Sequence, residues 1–83
     1  MPHYYFDIHD GDRFTSDDNG EDCGNPQVAR KLAIGVLPNI ARDMLPNGDH
    51  HDFVVQVRDE GGHYIFRATL SLTAEWLGEP GHP

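Results

Sequence analysis

In three separate stretches of this chain every second residue is apolar, and that period admits few folds. Tyr4, Phe6 and Ile8 alternate with His3, Tyr5, Asp7 and His9. Phe53, Val55 and Val57 alternate with Val54 and Gln56, and Tyr64, Phe66, Ala68 and Leu70 share one parity of residues 63–70. Side chains leave a strand alternately to its two faces, so each stretch reads as a strand with one buried face. Asp10-Gly11 supplies a turn after the first, and Arg13-Phe14-Thr15 begins a return strand. A two-residue turn at Asp10-Gly11 would oppose Phe14 to Asp7, whereas a three-residue loop over residues 10–12 would oppose it to Ile8. The second buries one more aromatic, worth roughly 1.5–3 kcal/mol, and is the expected register. A turn at Glu60-Gly61 pairs Val57 with Tyr64, Val55 with Phe66 and Phe53 with Ala68, which leaves every core pair apolar.

Between the two hairpins the period changes to that of a helix. Asn25-Pro26 is a helix start, with Asn as the N-cap and Pro at the first helical position. Val28, Ala29, Leu32, Ala33 and Val36 form one stripe, and Leu37, Ile40, Ala41, Met44 and Leu45 form another, rotated from the first. Gly35 and Pro38 lie between them. Pro38 has no N–H for the carbonyl of Ile34 and disfavours helical geometry at Leu37, so a kink or a break is expected near residues 34–38. Pro46-Asn47-Gly48 ends the segment. Residues 16–25, SDDNGEDCGN, read as a loop. In the tail, Thr73 is expected to start one helical turn anchored by Trp76 and Leu77. Residues 78–83 are expected to be a disordered tail on a single domain spanning 1–77. The order is hairpin, helix, hairpin. The fold class is α+β, a mostly antiparallel four-stranded sheet with the helix on one face.

The 83 residues carry a formal net charge of −8, from 14 acids against 6 Lys and Arg. Such a chain repels phosphate backbones, which argues against a nucleic-acid partner. No run approaches the ~20 apolar residues of a membrane helix, so no membrane partner is expected, and the absence of a signal-like N-terminus makes the cytoplasm the expected location. Cys23 is alone and forms no internal disulfide. It lies two residues before the helix start among carboxylates, and reads as a spectator rather than a nucleophile.

Metal binding is the first chemistry to weigh. His3, Asp7 and His9 share one face of the first strand, and His63 opens the last. Zinc needs three or four converging ligands, and no H-x-x-x-H or C-x-x-C spacing is present. These four residues therefore read first as solvated polar groups, with a metal-responsive protein as the alternative. The run DGDRFTSDDNGED is rich in oxygen ligands but lacks the EF-hand order, with Asp22 where Gly is required. No grouping suggests catalysis, no cofactor is implied, and the chain is expected not to be an enzyme.

Pro2, Tyr4, Tyr5, Phe6, Ile8 and Asp10-Gly11, the acidic loop with Gly20, and VQVRDEGG at residues 55–62 resemble a family of small alphaproteobacterial proteins classed as a domain of unknown function. The resemblance runs roughly from Pro2 to Leu70. It implies a single-domain cytoplasmic protein and assigns no activity, cofactor or site residue. Helices in that family read as continuous, so Gly35 and Pro38 depart from its pattern. The surface most suited to function is then the sheet face away from the helix. Tyr5, Val54, Ile65 and Arg67 are expected there, with Trp76 nearby, as a patch for a protein partner or for a second copy in a homodimer.

Overall fold

A computed structural model describes residues 2–45 and 48–78. The elements are β1 (His3–Asp10), β2 (Arg13–Thr15), β3 (Glu21–Asp22), α1 (Pro26–Met44), β4 (His50–Arg58) and β5 (Tyr64–Thr73). All pairings are antiparallel. The strand order is β2-β1-β4-β5, and β3 pairs with the N-terminal end of β1. The α+β reading of hairpin, helix and hairpin therefore holds, with one short strand more than expected. β3 arises inside the segment read as loop, where His3 opposes Asp22 and Tyr4 opposes Glu21.

Parity decides the faces. Tyr4, Phe53, Val55 and Val57 are buried under the helix, with Phe6, Ile8, Phe66 and Ala68 packed around them. The helix contributes Ala29, Ala33, Leu37 and Ala41. A stripe of spacing four drifts by about 40° per step around a helix of 3.6 residues per turn. That drift is the rotation the sequence shows between its two stripes, and the segment is one helix. It neither breaks at Pro38 nor needs to. Ile34, Gly35, Pro38 and Asn39 all lie on the exposed flank, where water can satisfy the carbonyl that Pro38 leaves without a donor. Three of the four buried contacts are alanine methyls, so α1 lies close on the sheet, while Val28 and Leu32 remain exposed. The N-cap is as expected: the Asn25 side chain accepts from the Val28 amide, with Pro26 following.

Both hairpin registers differ from expectation. In the first, His9 opposes Phe14 and Asp10 opposes Arg13. The two-residue turn is thus Gly11-Asp12. Gly11 has φ +60°, a value that a glycine at the first position of a tight hairpin turn adopts without strain. The turn is further tied by the Gly11 amide, which donates to the Asp52 carbonyl at 3.1 Å. Phe14 consequently falls on the face away from the helix and is 49% exposed, not in the core. In the second hairpin Val57 opposes Phe66, Val55 opposes Ala68 and Phe53 opposes Leu70, and a bulge then brings Tyr64 opposite Arg58. The loop is wider than two residues because Asp59 organises it: its carboxylate accepts from the amides of Gly61 and His63, and its own amide donates to the His63 carbonyl.

β5 continues to Thr73, and no helical turn starts there. Trp76 and Leu77 do not anchor the tail: they are 73% and 94% exposed. The expected end signal at Pro46-Asn47 and the expected disorder at 79–83 lie outside the described residues.

Candidate functional site

The face of the sheet away from the helix is built around one carboxylate. Asp7 sits at mid-strand in β1, opposite Gln56, and Tyr5 is opposite Arg58. Arg58 is therefore the diagonal neighbour of Asp7, within reach of a long side chain. Its Nε donates to Asp7 Oδ2 at 2.7 Å and its Nη2 to Oδ1 at 3.0 Å, the two-pronged geometry that a guanidinium and a carboxylate share. The Tyr64 hydroxyl donates to Oδ2 at 2.8 Å and the Asp17 amide to Oδ1 at 2.9 Å. Ser16 Oγ lies 3.4 Å from Oδ1. Asp7 is only 1% exposed, and it was read from sequence as a solvated polar residue. A buried carboxylate is costly without partners and tolerated when its lone pairs are filled. Burial pushes the Asp7 pKa up, but Arg58, the Asp17 amide and Tyr64 together outweigh it and hold the group at about 2. The Tyr64 phenol is pushed up by the same bond to Asp7, so it stays protonated as the donor.

Two further interactions extend the network. Arg58 Nη2 donates to the Asp17 carbonyl at 2.9 Å, and its guanidinium carbon lies 4.8 Å from the Tyr5 ring centroid, a cation–π distance. The Asp17 carboxylate accepts from the Phe6 amide at 3.0 Å through Oδ2, and from Asn19 and Gly20 through Oδ1. Burial raises its pKa, and those three amides bring it below the ordinary value. The acidic segment is thus an ordered turn. Gly20 closes it at φ +68°, against the His3 ring and the Tyr4 carbonyl.

Chemically, Asp7 has no lone pair left for a metal and no proton to exchange near neutrality. What the arrangement does is fix Arg58, Tyr5 and Tyr64 in place. Tyr64 as a whole is 54% exposed while its hydroxyl is tied down. Phe14 lies at the opposite edge of the same face, on β2, its ring 4.5 Å from that of His9.

The four metal candidates are not brought together. His3 pairs with Asp22 at 2.5 Å and with the Asn19 carbonyl at 2.6 Å, His9 with Gln56 at 3.1 Å, and His63 with Asp59 at 3.4 Å. Asp7 is the hub just described. Among the described residues no group of three or more His, Cys, Asp and Glu is placed to hold an ion. The bond to Asp22 raises the His3 pKa, with the Asn19 carbonyl adding to it. Cys23 is buried, and burial with Glu21 and Asp22 nearby pushes its thiol up, away from nucleophile character.

Of the expected contact residues, Tyr5, Val54 and Arg67 share the open face. Ile65 does not join them. It belongs to the bulge and lines a shallow groove with Phe66 and with Pro26, Gln27 and Arg30 of the helix. Trp76 lies at the end of the sheet, beside Asp49, Ala74 and Glu75. Sequence reasoning missed Arg58 as a partner of Asp7 and placed Tyr64 in the core. The available signal was the pairing of β1 with β4, which puts Arg58 diagonal to Asp7 once the register is known.

A family model described as Domain of unknown function (DUF6894) matches residues 3–71, and the chain belongs to that family. Comparison with the curated proteins and with the solved structures gave no match. Among the described residues no helix is long and apolar enough to cross a membrane.

Proposed function

We propose that this chain is a non-enzymatic protein-interaction module, an accessory or regulatory protein of the cytoplasm. Its contact surface is the open face of the sheet at Tyr5, Phe14, Val54, Tyr64 and Arg67. One observation carries the reading. No element among the described residues covers this face, yet it leaves Tyr64 and Phe14 half exposed, Tyr64 tied by its hydroxyl to a buried, fully bonded Asp7 and Phe14 packed on the His9 ring. Tyrosine and arginine held in fixed positions lose little side-chain entropy on binding, which is why they dominate the energetics of protein contacts. A solvated sheet face that served only folding would be expected to carry polar groups at these positions.

The test is capture of partners from cell extract by the wild-type chain and by a Phe14→Ser, Arg67→Ser double variant. Both positions are exposed and outside the Asp7 network, so the variant keeps its fold by circular dichroism. The expected result is loss of specific partners from the variant. Identical sets of recovered proteins would reject the open face as the contact surface.

A further inference from the structure

Among the described residues, the sheet has one edge that nothing finishes. β5 is the last strand in the order, paired only with β4. In an antiparallel strand half of the backbone N–H and C=O groups point away from the neighbour. Among the described residues, those of 65–73 receive no backbone or side-chain hydrogen bond from any other element. Proteins normally blunt such an edge with proline, a charge on the inward face, a bulge at mid-strand or a covering segment. The stretch YIFRATLSLT has no proline or glycine, and its single charge is Arg67. Arg67 opposes Gln56, on the face away from the helix, so β5 itself puts no charge on its helix side, where Arg30 of the helix lies over the Phe66 ring at 5.8 Å. That side presents Phe66, Ala68, Leu70 and Leu72, of which Leu70 is 39% exposed.

We infer that β5 is a self-association edge, and that its occupant is β5 of a second copy in antiparallel register about Thr69. The strand is self-complementary under that reversal. With Thr69 opposite Thr69, Ala68 meets Leu70 and Phe66 meets Leu72 on the helix side, each pair occurring twice. On the other side Arg67 meets Ser71. Every pair joins like polarity, and no two charges are opposed. Charge also favours this segment over the rest of the surface. The chain carries −8, so two copies repel almost everywhere, whereas β5 contains no acid. The seven paired residues, 66–72, run about 23 Å and join two sheets into one with both helices on the same side. This interface uses the edge of the sheet and is independent of what the open face binds.

The decisive experiment is cysteine cross-linking combined with sedimentation on the full chain. Under mild oxidation Thr69→Cys is expected to give a covalent dimer, because residues directly opposed across neighbouring strands have Cα atoms about 4.5–5.5 Å apart, within disulfide reach. Ser71→Cys is expected to remain uncross-linked, since its two copies lie about 13 Å apart along the strands. The wild-type chain, whose Cys23 is buried, supplies the background. By sedimentation at ~100 μM, where a micromolar interaction is populated, the wild type is expected to be dimeric. Leu70→Lys, folded by circular dichroism, is expected to weaken the dimer at least tenfold. A monomeric wild type, an unweakened Leu70→Lys dimer, or cross-linking at 71 as fast as at 69 would each overturn the proposal.

Discussion

Along β1 the sheet ends in two short strands with an acidic turn between them, and along β5 it ends in ten residues whose outer edge no element covers among the described residues. The first edge is closed by side-chain chemistry. Where neither β2 nor β3 reaches β1, the Asp17 carboxylate takes the Phe6 amide that a neighbouring strand would have taken. Asp7 and Arg58 then hold Asp17 by its amide and its carbonyl. Asp17 can take the Phe6 amide because a carboxylate is an acceptor that can stand in for a missing backbone partner. The second edge has strand-forming residues with one charge, Arg67, and no acid to act as a substitute acceptor. The difference teaches how two copies can meet. With one edge closed, pairing through β5 is isologous and consumes the free edge of both copies, so it stops at a dimer and does not propagate into a fibre.

The largest expected effect breaks the closed edge at its hub. Asp7→Ala leaves Arg58 and Tyr64 without their acceptor and frees Asp17. Removing one partner of a buried ion pair costs about 3–5 kcal/mol, and a domain of this size has roughly 5 kcal/mol in total. Urea titration should show the variant largely unfolded at 25 °C, and a change below about 1 kcal/mol would refute the hub.

Acid should act on the same group more gently. The Asp7 pKa is lowered from 3.8 to about 2 on folding, so the native state binds fewer protons than the unfolded chain between those values. Its contribution, about 2 kcal/mol by linkage, is fully present above pH ~4 and is lost as pH falls towards 2. Denaturation midpoints at pH 5, 3 and 2 should decline through that window in the wild type. A flat profile would mean the carboxylate is not held as described.

Gly20→Ala tests the turn between β2 and β3. Its φ of +68° strains any residue with a Cβ, and that Cβ would lie 2.7 Å from the Tyr4 carbonyl oxygen. We expect a loss of about 1–2 kcal/mol, read as a lower thermal midpoint. The smallest effect belongs to the bare edge. Thr69→Lys at ~1 μM, dilute enough to keep the monomer, should change folding stability by no more than about 0.5 kcal/mol, because the position is exposed and bonded to nothing but β4. A loss equal to that of Gly20→Ala would mean that the two edges are not different.

The faces of this fold were legible in the sequence, and the registers were not. Alternation placed Phe53, Val55, Val57 and Phe66 in the interior, and Asn25-Pro26 located the helix start, because both depend on neighbours in sequence. Phe14 was assigned to the core on the value of burying an aromatic. The turn went instead to Gly11-Asp12, where the glycine φ and the bond to Asp52 set the geometry. Tyr64 was assigned by strict alternation, which a single bulge residue overturned. Asp7 was the hardest to foresee, since its burial depends on Arg58, 51 positions away, and no local pattern announces a pair at that distance. At Pro38 the break, one of the two expected outcomes, did not occur, for the opposite reason. Its local rule is sound, but the lost donor falls on the side of the helix that water reaches.

The alanine stripe of α1 carries a consequence for how this domain can grow. Methyl groups at 29, 33 and 41 set the height of the helix above the sheet, so that spacing is a fixed thickness and not an adjustable gap. A bulkier residue at 33 would prop the helix up at its middle and lift it off Val55 and Val57. Enlargement of the interior between helix and sheet is therefore closed, and the core itself can be extended only sideways, in the plane of the strands.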